Sequence, residues 1–149
     1  MDIWDWSLQA YARPAVAEAC LRLQDEHGQN VPLLLWAIWA EARDPDLLTR
    51  AAEVARRWDA VAVTPLRAVR RTLKAACPPV ADAARVALRE DVKAAELRAE
   101  RVLLETLASL GSRRGGAPAL QALEGAARAW EPDQAAPREA LAVLAAALE

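Results

Sequence analysis

The 149-residue chain has no phenylalanine, a single tyrosine and few β-branched residues. Aromatic and β-branched residues favour strands, so their scarcity argues against a β-rich fold. Alanine and leucine instead dominate the hydrophobic fraction, which is 54% of the chain, and both favour helices. We therefore predict an all-α fold, a single bundle of about six to eight helices.

Cysteine and histidine are also scarce. Two cysteines, Cys20 and Cys77, make a poor disulfide framework and are typical of a reducing compartment. A catalytic triad or a zinc site would depend on the single histidine, His27. No glycine-rich phosphate loop follows a predicted strand. We therefore predict no catalytic residue, no metal site and no cofactor, and we assign no enzymatic activity.

The sequence also lacks a long hydrophobic run and a strong net charge. Its longest uncharged segment, residues 28–40, has 13 residues, too few to cross a bilayer. The net charge of −2 is not that of a general nucleic-acid binder. The acidic first residues are unlike a secretory signal. We predict a cytoplasmic protein with no membrane insertion, and we do not expect it to be a general nucleic-acid binder.

Prolines and glycines mark the ends of the first helices. Asp5 is the predicted N-cap of a short helix that runs to Ala12. Pro14 suits the first turn of the next helix, which we expect over residues 14–27, with Gly28 after its last residue. His27 therefore lies at a predicted helix C-terminus, where the helix dipole favours an imidazolium. A role for His27 in ligand binding is the alternative.

Asn30 is the predicted N-cap of a third helix that reaches Arg43. Apolar residues cover nearly every side of this helix, which predicts that it is buried on most faces and forms the centre of the core. Three tryptophans are predicted core residues: Trp36, Trp39 and Trp58. Trp4 and Trp6 either close one end of the bundle or form an exposed anchor for a partner.

Asp44-Pro45 begins a further helix, within which Thr64-Pro65 either starts a new helix or kinks a long one. Residues 80–110 are predicted to form one long helix. Its apolar residues share a single stripe, which predicts a buried face: Ala81, Ala84, Leu88, Val92, Ala95, Ala99, Val102, Leu103 and Leu110.

A glycine-rich segment separates two parts of the chain. Residues 1–110 are predicted to be the helical bundle core, and residues 111–117 a flexible joint. Residues 118–149 contain two short helical segments. Because helices of that length are marginal in water by themselves, we expect both to dock on the core.

The strongest local feature is a cluster of basic residues. Four of them recur at i, i+3, i+4 and i+7 and so project from one helix face: Arg67, Arg70, Arg71 and Lys74. Two interpretations are open. Glu96 and Glu100, one turn apart on the predicted long helix, would neutralise these charges internally. Otherwise the face is a site for an acidic protein, RNA or a phosphate group.

Several short motifs, in order, give the chain a family resemblance. They are Trp4-Asp5, Tyr11, residues 17–21 and 23–25, Leu33-Leu34, Trp39, Trp58, residues 65–67, Arg70-Arg71, Leu73-Lys74, residues 95–97 and Ala99-Glu100. Over roughly residues 3–110 the sequence resembles an uncharacterised proteobacterial family, domain of unknown function 2390. The resemblance implies no activity. It implies that residues 65–74 and 96–100 belong to one shared feature.

Two functional hypotheses follow. The first is a cytosolic protein-interaction module, or adaptor, that offers its basic helix face to a protein partner, which we expect to be acidic. The second is a binding domain that holds a small anionic or phosphate-bearing ligand with its arginines. The candidate binding residues are Arg67, Arg70, Arg71, Lys74, Glu96, Glu100, Trp58, Gln24 and His27. Homo-oligomerisation is left open.

Overall fold

The computed structural model describes residues 1–111 and 115–149, and all the regular elements of these ranges are helices. The predicted all-α fold is confirmed. In chain order the helices are α1 (Ile3–Tyr11), α2 (Pro14–His27), α3 (Val31–Trp39), α4 (Pro45–Trp58), a π-helical turn (Asp59–Val63), α5 (Thr64–Thr72), α6 (Asp82–Ala108), α7 (Ala119–Trp130) and α8 (Arg138–Leu148).

Local capping signals explain where several helices begin and end. The side chain of Asn30 accepts a hydrogen bond from the amide of Leu33, and Asp44 accepts one from Asp46, as expected for N-caps. Gly28 ends α2 in the left-handed conformation, with a φ of 60°, which glycine adopts at little cost. These predicted boundaries are confirmed.

The predicted cap of α1 is wrong. Asp2, not Asp5, is the N-cap, and its Oδ1 accepts a hydrogen bond from the Asp5 amide at 2.9 Å. The helix therefore begins at Ile3, whose side chain is buried in the core. Either aspartate satisfies the local capping rule, and the burial of Ile3 favours the earlier one.

Helix α3 is the central element of the core, as predicted. It packs against α1, α2, α4, α6 and α7, and Trp36 is only 2% exposed. Trp39 lies half-buried at the edge of the core. The predicted end of this helix at Arg43 is wrong, because α3 stops at Trp39 and Glu41 adopts a left-handed φ of 50°.

The chain stays helical where α4 meets α5. Val63 and Thr64 both have right-handed helical φ and ψ angles, and no side chain caps the start of α5. The alternative in which Thr64-Pro65 starts a separate capped helix is therefore wrong. Because Pro65 has no amide hydrogen and its ring crowds the carbonyl of the preceding turn, the wider π turn accommodates it.

Helix α5 and the first half of α6 form a hairpin, which we call the helical arm (residues 64–95). Helix α5 has no buried residue and packs chiefly against α6 and the π turn. Two arginines of α6 hold it in place. Arg85 donates to the carbonyl of Leu73 at 2.7 Å, and Arg89 donates to that of Arg70 at 3.2 Å. These carbonyls lie in the last turn and at the C-cap of α5, where helical partners are missing.

Only the second half of α6 enters the core. Its buried residues are Glu96, Ala99, Leu103, Leu104 and Leu107. The buried stripe predicted for this helix is therefore wrong over its first half, where Ala81, Ala84 and Ala95 are exposed and Leu88 is 52% exposed. It is also wrong at Val102 in the second half, which is 40% exposed. In the arm only α5 lies beside α6, so one neighbouring helix covers the stripe incompletely.

The C-terminal helices complete the core. Helix α7 packs on α3 and α4, helix α8 packs on α2, and Leu123, Leu141 and Leu144 are fully buried. The amide of Gly115 donates to the carbonyl of Ala40 at 3.1 Å. Part of the predicted flexible joint, residues 112–114, lies outside the described residues.

Candidate functional site

Two arginines of α5 converge on one carboxylate of α6. Arg67 Nε lies 3.1 Å from Glu96 Oε1, and Arg70 Nε lies 2.5 Å from Glu96 Oε2. The Glu96 side chain is only 9% exposed, and the two arginines shield it from solvent. Such charge-assisted hydrogen bonds satisfy a buried carboxylate that would otherwise destabilise the fold.

Glu96 and Glu100 differ in electrostatic environment. Burial raises the pKa of Glu96, but the hydrogen bonds and charges of Arg70 and Arg67 outweigh burial, so its pKa lies below the usual value. Burial, followed by the charge of Glu96, raises the pKa of Glu100 to about 6. The nearest arginine atom, Arg67 Nη2, is 3.8 Å from Glu100, too far for a hydrogen bond. Near neutral pH, Glu100 is therefore the carboxylate poised to gain or lose a proton.

Glu100 borders three cavities. The first is an open groove of about 520 Å³ along the arm, where Arg70 and Lys93 also line the wall. The second is a polar cavity of about 140 Å³ between the π turn and the start of α3. The third is an apolar cavity of about 300 Å³ between α1, α3 and α6. Glu100 thus connects the arm with the interior of the bundle.

The polar cavity contains buried amide groups. Gln24, Gln29 and Asn30 line it, together with Asp59 and Arg67. Asn30 uses its side-chain oxygen to cap α3, and Gln29 donates its amide to the carbonyl of His27 at 3.2 Å. Within the described ranges, Gln29 Oε1 is buried and has no hydrogen-bond partner.

The apolar cavity has few polar groups besides Glu100. The hydroxyl of Ser7 is buried and finds no hydrogen-bond partner in the part of the chain that the structure describes. Tyr11 also lines this cavity, and burial, followed by Cys20 and Glu100, raises the pKa of its hydroxyl. The remaining wall is hydrophobic and includes Trp4 and Leu35.

Five of the nine predicted site residues come together. Arg67, Arg70, Glu96 and Glu100 form the ion-paired cluster, and Gln24 lines the polar cavity beside Arg67 and Glu100.

The other four predicted site residues lie outside this cluster. Trp58 donates its indole N–H to the carbonyl of Ala99 at 2.8 Å and so fastens α4 to α6 behind the cluster. His27 is half-buried at the end of α2, and its carbonyl receives the Gln29 hydrogen bond. Arg71 and Lys74 are exposed on the arm, separate from Glu96.

Gln29, Asp59 and Tyr11 also line the cavities that Glu100 borders, and none of them is among the predicted site residues. The position of Gln29 could have been predicted from the sequence, because a glutamine between a helix-ending glycine and a capping asparagine lies where two helices meet. Nothing in the sequence indicates that Asp59 lies near Glu100, since a single acidic residue near a helix end usually faces solvent. The described residues contain no group of three or more His, Cys, Asp or Glu side chains arranged to hold a metal ion.

The fold and the cluster define an all-α bundle with an arginine-braced pair of glutamates. A family model described as a protein of unknown function, DUF2390, matches residues 2–107, and the chain belongs to that family. The matched residues include the whole cluster. No curated protein and no solved structure shows significant similarity to the chain. None of the helices in the described ranges is both long and apolar enough to span a membrane.

Proposed function

We propose that the protein is an interaction module, or adaptor, that binds an acidic protein partner through its helical arm. The observation that carries this proposal is the exposure of α5, which has no buried residue although it lies in a folded hairpin. A helix in that position contributes little to the core. Its side chains are instead available to a partner.

The charge of the arm supports an acidic partner. Residues 64–95 contain seven basic and three acidic residues, although the whole chain has a net charge of −2. Glu96 forms ion pairs with Arg67 and Arg70 on the inner side of the arm. Arg71 and Lys74 form no ion pair within the described part of the chain, so they are exposed positive charges that a partner would meet on the arm.

Exposed apolar residues lie beside these charges. Val69, Val86 and Leu88 are each about half exposed on the arm. Apolar contacts surrounded by charged groups are typical of protein interfaces. We therefore propose that Arg71 and Lys74 attract the acidic partner electrostatically. The valine and leucine side chains would then make apolar contacts with it.

A comparison of charge-reversed variants tests the proposal. The arm variant combines Arg71→Glu with Lys74→Glu, and the control combines Arg50→Glu with Arg57→Glu, two exposed residues of α4. Affinity capture from a lysate of the source organism, read by quantitative mass spectrometry, should show a protein retained by the wild type and the control but lost by the arm variant. Capture should also weaken as salt screens the charges.

The proposal fails if no protein distinguishes the arm variant from the control, or if the binding that does so is insensitive to salt. Both variants change exposed side chains, so their stability should stay within about 0.5 kcal/mol of the wild type. Thermal unfolding checks this before capture is compared.

A small anionic ligand held by the arginines gains less support. The guanidinium groups of Arg67 and Arg70 are already engaged by Glu96. The adjoining groove also contains Glu90 and Glu100, which would repel an anion. We therefore propose that Arg67 and Arg70 stabilise the arm rather than bind a phosphate group.

We also propose that the protein acts in the cytoplasm of a bacterium. Both cysteines are free, Cys20 in the core and Cys77 on the surface, as expected in a reducing compartment. The strong preference for arginine over lysine is typical of a GC-rich bacterial genome.

A further inference from the structure

The apolar cavity has the character of a small-molecule site. Its volume of about 300 Å³ is at the lower end of the range for such sites. Trp4, Leu8, Leu35 and Leu104 supply hydrophobic wall from three different helices, α1, α3 and α6. A cavity framed by three helices is preformed, so a ligand would not have to order it.

Ser7 is a polar group that the fold leaves unsatisfied in this wall. Ser7 is only 3% exposed, and its buried hydroxyl has no hydrogen-bond partner among the described residues. A buried hydroxyl without a partner destabilises a protein, whereas alanine at the same place would not. A ligand in the cavity would supply the missing hydrogen bond.

Glu100 is the charged residue in the wall of this cavity. Its carboxylate accepts no hydrogen bond from the described residues, and the closest cation, Arg67, remains 3.8 Å away while bonded to Glu96. The other charged groups around it are Glu96, Arg70 and Asp59, and Tyr11 lies on the α1 side. The carboxylate therefore lacks a close donor, and an ammonium group is the strongest donor that a small molecule can offer.

We propose that this cavity binds a small organic amine whose apolar body lies against Trp4, Leu35 and Leu104 and whose ammonium group donates to Glu100. The hydroxyl of Ser7 offers the bound molecule a further hydrogen bond. The negative charge of Glu100 disfavours an anion in this cavity. The site differs from the arm surface, since neither Arg71 nor Lys74 lines it.

Isothermal titration calorimetry with three probes of similar size tests this specificity. The probes are 2-phenylethylamine, 2-phenylethanol and 3-phenylpropionate, at pH 7.5, where Glu100 is mostly ionised. We expect the amine to bind most tightly and the alcohol to bind with an affinity lower by about tenfold or more. The carboxylate should not bind at all. The proposal is overturned if none of the probes binds, or if the alcohol or the carboxylate binds as tightly as the amine.

Variants then locate the site. Glu100→Gln should lower the affinity for the amine about tenfold while leaving the affinity for the alcohol nearly unchanged. Glu53→Gln, at an exposed residue of α4, is the matched control. Ser7→Leu should fill the cavity and abolish binding of both probes. Should Ser7→Leu fail to fold by circular dichroism, Leu97→Trp at the exposed rim should obstruct the cavity instead.

The outcome of the variants is decisive in either direction. Amine binding that survives in Glu100→Gln, or in the folded cavity-filling variant, overturns the assignment to this cavity. The arm variant Arg71→Glu/Lys74→Glu should bind the amine normally. This site and the proposed adaptor function can therefore fail separately.

Discussion

Glu96 and Glu100 lie one turn apart on α6, and their pKa values are displaced in opposite directions. The difference arises because both arginines of the cluster hydrogen-bond Glu96, whereas Glu100 is partly buried beside it without a hydrogen bond from either. One member of the pair therefore stabilises the fold in its charged form. The other does so in its neutral form.

The pH dependence of stability should differ between the two glutamates. The pKa of Glu100 is about 6 in the folded protein against an ordinary value of 4.5, so Glu100 contributes stability that is fully present below pH 4.5 and is lost as pH rises through 6. Glu100→Gln should therefore raise the free energy of unfolding by about 2 kcal/mol at pH 8. At pH 4 the variant and the wild type should be nearly equal in urea denaturation.

Glu96→Gln should have the opposite effect. Because the pKa of Glu96 is lowered by its arginines, its contribution to stability is present above the ordinary value of 4.5 and is lost as pH falls through the lowered pKa. This variant should be less stable than the wild type at pH 7, and the deficit should shrink in acid. A deficit that persists unchanged at pH 2 would contradict an ionic role for Glu96.

Arg70 and Glu96 should be energetically coupled. In a double-mutant cycle with Arg70→Met and Glu96→Gln, we expect a coupling energy of about 1–3 kcal/mol, because the two side chains are directly bonded and mostly buried. Arg71→Met with Glu96→Gln is the matched control, since Arg71 is exposed. Additive effects for the Arg70 pair would mean that the cluster does not hold the arm.

Arg85 should stabilise the C-terminal end of α5. It donates to the carbonyls of Leu73 and Lys74, and its side chain is only 12% exposed. Arg85→Met should speed amide hydrogen exchange in residues 64–75 while leaving exchange in α3 unchanged, because the arm lies outside the core. Arg98→Met, at an exposed residue of the same helix, should change neither. Equal acceleration in α3 would show that the arm and the core unfold together.

The two tryptophans of α3 should differ in their effect on stability. Trp36→Ala removes a fully buried side chain and should cost about 3–5 kcal/mol, as measured by chemical denaturation. Trp39→Ala should cost clearly less, since Trp39 is half-buried at the edge of the core. Similar costs for the two variants would contradict the orientation of α3.

Local sequence rules were sufficient for several elements because the relevant interactions span one turn. Asn30, Asp44 and Gly28 act on residues within a few positions, so capping preferences predict their roles directly. The same holds for α3, whose all-round apolarity predicts a central helix. The possibility that Glu96 pairs with the basic face was also predictable from the sequence, since helical spacing places Arg67 and Arg70 on one side of α5.

What the amino-acid sequence by itself determined is the all-α class, most helix positions and the residues from which the cluster is built. Only the tertiary structure decided that Arg67 and Arg70 turn towards Glu96 while Arg71 and Lys74 face solvent, because this depends on where α6 crosses α5. Tertiary packing likewise left the first half of α6 outside the core. Glu100 acquired its raised pKa chiefly for the same reason: the burial that raises it comes from residues distant in sequence, which no periodicity along one helix reveals.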